Sequence, residues 1–231
     1  MAKEFPDVQF AIIDDSSLKD TNVTSLVFAE EQGSYLVGAI AAQASKGKDI
    51  GFIGGVNTPL IEKFEAGFTA GAKAVTPDIK VQVKYLTQSP DFTGFNAPDK
   101  GKTTATGMFD AGADVVYHAA GGSGSGVFDA ASAAKKLAIG VDSDQYLTAA
   151  PAVKDVVLTS MIKRVDTAVY DMIKSTVDKK PLTGIQTFDL KTEASVTPRR
   201  TRSSSRTRPR RTSSRKRSSV VRSRFRRLRN R

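Results

Sequence analysis

Ile50-Gly51-Phe52-Ile53-Gly54-Gly55, the stretch Pro59–Val75 and Val81-Gln82-Val83-Lys84-Tyr85-Leu86 follow one another along the chain, and their reading decides the fold class. The first and third are apolar, β-branched runs of strand length. Between them Ile61, Phe64, Phe68, Ala72 and Val75 recur at helical spacing. Parallel neighbouring strands need a long crossover, usually a helix, so strand, helix, strand reads as a βαβ unit. The alternation extends outwards. Further strands are expected over residues 8–13, 115–117, 137–141 and 156–158, and further helices over 34–45, 101–109, 127–136 and 161–174. The predicted class is α/β, with a doubly wound parallel sheet covered on both faces.

Composition closes several function classes. The 231 residues contain no Cys and one His, so a disulfide framework, a Cys-based zinc site, a thiol nucleophile and a His-rich metal centre are excluded. Nothing calls for a cofactor. No run of about 18 apolar residues occurs, and Met1-Ala2-Lys3-Glu4-Phe5-Pro6-Asp7 lacks the apolar core of a signal peptide. The chain as written is therefore expected to carry no span or export signal and to stay in the cytoplasm.

The net charge of +11 sits almost wholly at one end. Residues 199–231 hold 16 Lys and Arg and no acid, which leaves 19 of the 35 basic residues against all 24 acidic ones, a body of net −5. The body has a single arginine, Arg164, and the tail a single lysine, Lys216, so two compositions meet near Glu193. Such a tail cannot fold alone, because it has little to bury and its charges repel. Three readings stand: an arginine-rich arm for non-specific nucleic acid, a solvated disordered tail over 194–231, and the product of a shifted reading frame, which the abrupt Arg/Ser/Thr/Pro mixture favours.

In open α/β sheets ligands bind beyond the carboxyl ends of the strands. The residues expected there are Asp14-Asp15, Gly54-Gly55, His118 through Gly124, Asp142-Ser143-Asp144-Gln145 and Thr159-Ser160-Met161-Ile162-Lys163. Each alone could be turn and cap chemistry; together they favour a polar small-molecule site. Nucleotide and hydrolase motifs fail on spacing. Gly101-Lys102-Thr103 lacks the leading glycine of a P-loop, having Asn96 there, and 121–126 matches neither GxGxxG nor GxSxG. His118 could serve Ser123 as a base, although an isolated His at a strand end is more often structural. Asp142 and Asp144 are open to general acid/base work or to holding a diol.

The stretches Phe10-Ala11-Ile12-Ile13-Asp14, Phe28-Ala29-Glu30-Glu31-Gln32-Gly33-Ser34-Tyr35-Leu36-Val37-Gly38, Ile50 to Gly55, Phe64-Glu65-Ala66-Gly67-Phe68, Ala119-Ala120-Gly121-Gly122 and Gly140 to Gln145, in this order, resemble the basic membrane protein family. These are substrate-binding lipoproteins of ABC importers in the cell envelope, many of them binding purine nucleosides. The resemblance implies a type I periplasmic-binding fold of two doubly wound parallel-sheet lobes closing on the solute, and binding without catalysis. It implies that Asp142 accepts ribose hydroxyls, that Lys163 donates to the ligand, and that Gly121 and Gly122 let backbone approach it. Phe64 or Tyr117 would offer a ring face, and Asp15 or Asp14 would complete the first-lobe rim. Partners would be a nucleoside or related solute and, in an intact relative, the permease subunits.

The departures from that family are a missing lipoprotein leader, a missing start of lobe one and the arginine tail. They give the expectation of a first-lobe remnant over 1–47, a second lobe over 48–153 and a return over 154–193. The chain is read as a partial, frameshifted gene product with an incomplete first lobe.

Overall fold

The computed structural model describes residues 1–192 and the backbone of 195–196; the arginine-rich stretch 199–231 and the readings attached to it lie outside them. Among the described residues the strands are β1 Phe10–Ile13, β2 Val23–Phe28, β3 Asp49–Asn57, β4 Lys80–Gln88, β5 Val115–Ala119, β6 Leu137–Asp142, β7 Val157–Lys163, β8 Gly184–Phe188 and β9 Ser195–Val196. The helices are α1 Glu30–Ala44, α2 Pro59–Val75, α3 Pro98–Asp110, α4 Gly124–Ala134, the single turn α5 Gln145–Thr148, and α6 Val165–Val177.

The strands form two sheets, one ordered β1-β2-β8 and the other β4-β3-β5-β6-β7-β9. Every pairing is parallel except β7 with the two-residue β9. The α/β parallel architecture expected from the alternation is what the chain adopts. In the larger sheet the period of two sorts side chains between two cores. Ile50, Phe52, Val115, Tyr117, Ile139 and Val141 face α1 and α2, and Ile53, Val116 and Ala138 face α3 and α4. Phe52, Phe68 and Tyr117 meet with ring centroids 5.1–6.3 Å apart at the centre of the first core. Leu26, Phe28 and Phe188 of the smaller sheet pack with Ala168 and Met172 of α6.

Local chemistry explains the best-read helix. The Thr58 hydroxyl accepts from the Ile61 amide at 3.4 Å and Pro59 opens the first turn, so α2 starts where the sequence says it should. α2 then lies against α1 almost backbone to backbone. A Cβ at Gly71 would stand 1.9 Å from the Tyr35 carbonyl oxygen, so glycine is required there.

Four differences from the sequence reading bear on the site. β7 runs on to Lys163, so Thr159 through Lys163 are strand and not rim, and α6 starts at Val165 rather than at Met161. Gly54 and Gly55 lie inside β3, which continues to Asn57. β2, central in its sheet, went unread because Thr24 and Ser25 interrupt its apolar run, and both are buried. β8 and the short β9 likewise gave no strand signal.

Two connections pass between the sheets beside one another. Phe28 leads from β2 into α1, and Lys163 leads from β7 into α6. The Ala29 amide donates to the Phe188 carbonyl at 2.9 Å, and the Leu190 amide to Gln32 Oε1 at 3.2 Å, which ties the return of β8 to the start of α1.

Candidate functional site

Asp14 and Asp142 each stand at the end of an apolar parallel strand, one in each sheet. Both have φ of 66°, a left-handed conformation that aspartate tolerates better than most side chains. With Lys163 they line one cavity of about 270 Å³, whose other walls are Leu60, Ile61, Phe64, Phe95, Ala119, Gly121 and Val141. That volume lies just below the roughly 300–1,000 Å³ usual for small-molecule pockets. The larger sheet, counted from β3, has the order 2-1-3-4-5, and its neighbours β3 and β5 form the switch point where such sheets hold ligands. Ile61 and Phe64 follow β3, and Gly121 follows β5, at that crevice.

The charges are tightly arranged. Lys163, 8% exposed, donates to both Asp14 carboxylate oxygens at 2.6 and 2.5 Å. Its ammonium also lies 3.4 Å from Glu30 Oε1 and 5.0 Å from the Phe28 ring centre. Glu30 is buried at the first position of α1, and among the described residues neither of its oxygens has a hydrogen-bond partner. Burial raises its carboxyl pKa, opposed by Lys163, its own helix-start amide and Lys63, and reinforced by Asp14. Asp142 is open to solvent at the cavity, yet protein crowds it enough that desolvation raises its pKa too, opposed by Lys163 and reinforced by Asp14.

The sequence-predicted residues divide as follows. Phe64, Gly121, Asp142 and Lys163 come together on this cavity. Of the two rim acids it is Asp14 that lines it; Asp15 instead accepts the Ser17 amide at 2.7 Å in a local turn. Gly122 lies on a neighbouring hollow with Ser125, Phe128 and Gln145. Gly121, with φ of 54°, can make its turn beside the Phe95 carbonyl because it has no Cβ. Tyr117 cannot offer a ring face, since it is wholly buried and its hydroxyl lies 3.3 Å from Ser34 Oγ. Phe64 is 3% exposed and serves the core and the cavity wall together.

The residues weighed for catalysis do not assemble. The Ser123 hydroxyl donates to the Gly94 carbonyl and accepts the Ala97 amide, both at 2.7 Å. The buried His118 ring packs edge-on to Phe128, with Gln145 as its polar neighbour. Burial lowers its pKa to about 4, with only the Gln145 amide acting the other way. Asp144 caps α5 by accepting the Tyr146 amide. Among the described residues no group of His, Cys, Asp and Glu could hold a metal ion, and no helix is long and apolar enough to cross a membrane.

Sequence reasoning placed Ala119 at the rim but missed Phe95, Leu60, Ile61 and Val141 as cavity wall, and Glu30 and Phe28 as neighbours of Lys163. The strand-end rule could have found Val141, the last apolar residue before Asp142. Contacts such as Glu30 with Lys163 join residues far apart in sequence and leave no local signal.

Comparison with known proteins bears on the family and the fold. Residues 1–206 match the model of the Bmp family, described as ABC transporter substrate-binding protein PnrA-like. The chain is 44% identical over 184 residues to the CD4+ T-cell-stimulating antigen of Listeria monocytogenes serovar 1/2a, which covers 74% of this chain and 50% of that protein. It is 42% identical over 204 residues to the ABC transporter nucleoside-binding protein BmpA of Lactococcus lactis subsp. cremoris, covering 82% and 56%. The chain thus spans about half the length of the curated relatives it matches. A solute-binding protein of an ABC transporter system from Aeropyrum pernix K1 superposes with a TM-score of 0.74 at 28% identity, covering 86% of this chain and 56% of that one. Such neighbours bear out the type I periplasmic-binding-like fold. With the ordered motifs and a family match that spans all the described residues, the chain belongs to the Bmp family of PnrA-like ABC transporter substrate-binding proteins.

Proposed function

We propose that the chain captures a neutral, polyhydroxylated solute, in the first instance a purine nucleoside, in the cavity between its two sheets, and that it binds this solute without chemical change. The observation that carries the reading is the bracket of Asp14 and Asp142 around Lys163 at one small cavity. An ionised carboxylate accepts only, so Asp142 suits the paired hydroxyls of a ribose, and the ammonium can donate to a ring nitrogen or hydroxyl. Two carboxylates against one ammonium, with Glu30 behind, oppose a phosphate group. Leu60, Ile61, Phe64 and Phe95 supply an apolar wall for a flat base. The name of the Lactococcus relative favours the same solute class. The absence of catalysis rests on the commitment of Ser123 to backbone and the sealing of His118 in the core.

In this reading the two sheets are the halves of a clamp, and the partner is the permease of an ABC importer at the cell envelope. The test is a calorimetric titration of the full chain with adenosine, guanosine, inosine, uridine, ribose and adenosine monophosphate. One or more purine nucleosides should bind, the monophosphate should not, and Asp142→Ala should remove most of the affinity. Equal binding of the monophosphate, or an unchanged Asp142→Ala, contradicts the reading.

A second reading rests on the 16 basic residues of 199–231. That stretch would hold nucleic acid through phosphates, so full-chain binding to a DNA duplex should fall steeply with salt. Salt-independent binding, or none at low salt, removes it.

A further inference from the structure

We infer that Glu30 is a positioning residue for the solute: it keeps the Lys163 ammonium at the cavity when Asp14 turns from that ammonium to the solute. The inference rests on the solute-binding reading above and assigns a role to a side chain that cannot touch the solute itself.

At the cavity Lys163 is engaged by both oxygens of Asp14, at 2.6 and 2.5 Å. An ammonium has three donors and two of these go to Asp14, so a solute that takes more than one hydrogen bond from Lys163 has to draw on this pair. Drawing Asp14 toward a hydroxyl weakens the hold on an ammonium whose side chain is 7% exposed. A buried cation without a close anion is strongly unfavourable. Glu30 meets that need from behind. Its Oε1 lies 3.4 Å from the Lys163 ammonium, its side chain is 1% exposed, and it is not among the residues that line the cavity.

The remaining surroundings fit a fixed counter-charge. Lys63 of α2 lies 3.5 Å from the other Glu30 oxygen and is half exposed. Tyr117 of β5, Asp14 after β1 and Asp142 at the end of β6 complete the titratable neighbours that act on this cluster. The start of α1 contributes its positive end, and the Ala29 amide is anchored on Phe188 next door. A carboxylate buried with both oxygens lacking hydrogen bonds costs stability. A buried neutral amide would cost less, so the charge has to earn its place in something other than folding.

The test is calorimetry of the full chain with adenosine and with guanosine. Glu30→Gln should weaken binding about tenfold, while the free variant melts no lower than the parent. Glu30→Asp, which retains the charge, should bind within about threefold of the parent. In a Lys163→Met background, Glu30→Gln should have little further effect, because its influence passes through that ammonium. Undiminished binding by Glu30→Gln overturns the inference, as does a Glu30→Asp variant no better than Glu30→Gln. An equal loss with and without Lys163 does the same. A parent chain that binds neither nucleoside removes the solute reading first, and the inference with it.

Discussion

Replacing Lys163 by methionine keeps most of the side chain's length and apolar stem and deletes only its charge. The structure says what is left behind. Glu30, 1% exposed, loses the nearer of its two cations, and Asp14, 28% exposed, loses both of its hydrogen bonds. Breaking a buried pair by removing one partner costs about 3–5 kcal/mol, because the other charge stays buried and uncompensated. Asp14 can turn to water and Lys63 still lies 3.5 Å from Glu30, so the lower end of that range applies, about 3 kcal/mol at pH 7. For a domain of this size that is a fall of roughly 6–12 °C in melting temperature. The loss should shrink toward pH 5, because Glu30, whose pKa is already raised by burial, escapes its exposure to this cost by taking up a proton. Urea unfolding of parent and variant at pH 7 and pH 5 measures both quantities. A loss under about 1 kcal/mol at pH 7, or one that grows on acidification, refutes the reasoning.

Other expectations follow from the same structure. His118 has a folded pKa of about 4 against 6.5 unfolded, so as pH falls from 6.5 to 4 the unfolded state takes up a proton that the folded state refuses. About 3 kcal/mol of stability should drain away over that window through this residue, and the parent should lose that much more than His118→Gln in parallel urea melts. Asp142 has a raised pKa, so its ionisation in the fold costs stability as pH rises through that value. Asp142→Asn should therefore melt higher than the parent at pH 7 while binding nucleoside worse, and a lower melting temperature counts against the site's being strained for function. Gly71→Ala would place a Cβ 1.9 Å from the Tyr35 carbonyl oxygen and push α1 from α2. It should cost about 2–3 kcal/mol in chemical denaturation, and a neutral effect would mean the helices are not held so closely.

The parts of the fold that were legible in the sequence are those where one face of an element is apolar throughout. β3, β5 and β6 each hold an unbroken run of three or more apolar or glycine residues, and α2 carries a continuous stripe with its own Thr58 and Pro59 start signal. The second half of β7 was hidden because Thr159 and Ser160 look like turn residues. They are buried, and the Ser160 hydroxyl accepts the Gln145 amide at 3.1 Å. On that reading Lys163 falls at the rim in the first turn of a helix over 161–174, whereas it ends a strand.

At the site, Asp142 could be named because it sits in one of the ordered motifs, and Lys163 because the resemblance to the family implies it. The choice between Asp14 and Asp15 could not be made, since it turns on which of two adjacent acids takes the left-handed conformation. Glu30 stood within a quoted motif, but its meaning depends on a pairing across 133 positions of sequence that only the packing of the two sheets creates.

The central claim is that a solute bridges the two strand-end aspartates. It is tested most directly by amide NMR of the isotope-labelled full chain, titrated with guanosine and adenosine. The account predicts that the resonances of Asp14, Gly121, Asp142 and Lys163, from both sheets, shift together along a single binding curve. Saturable shifts confined to one sheet or to residues away from this cavity, or no shifts at millimolar nucleoside, would contradict it.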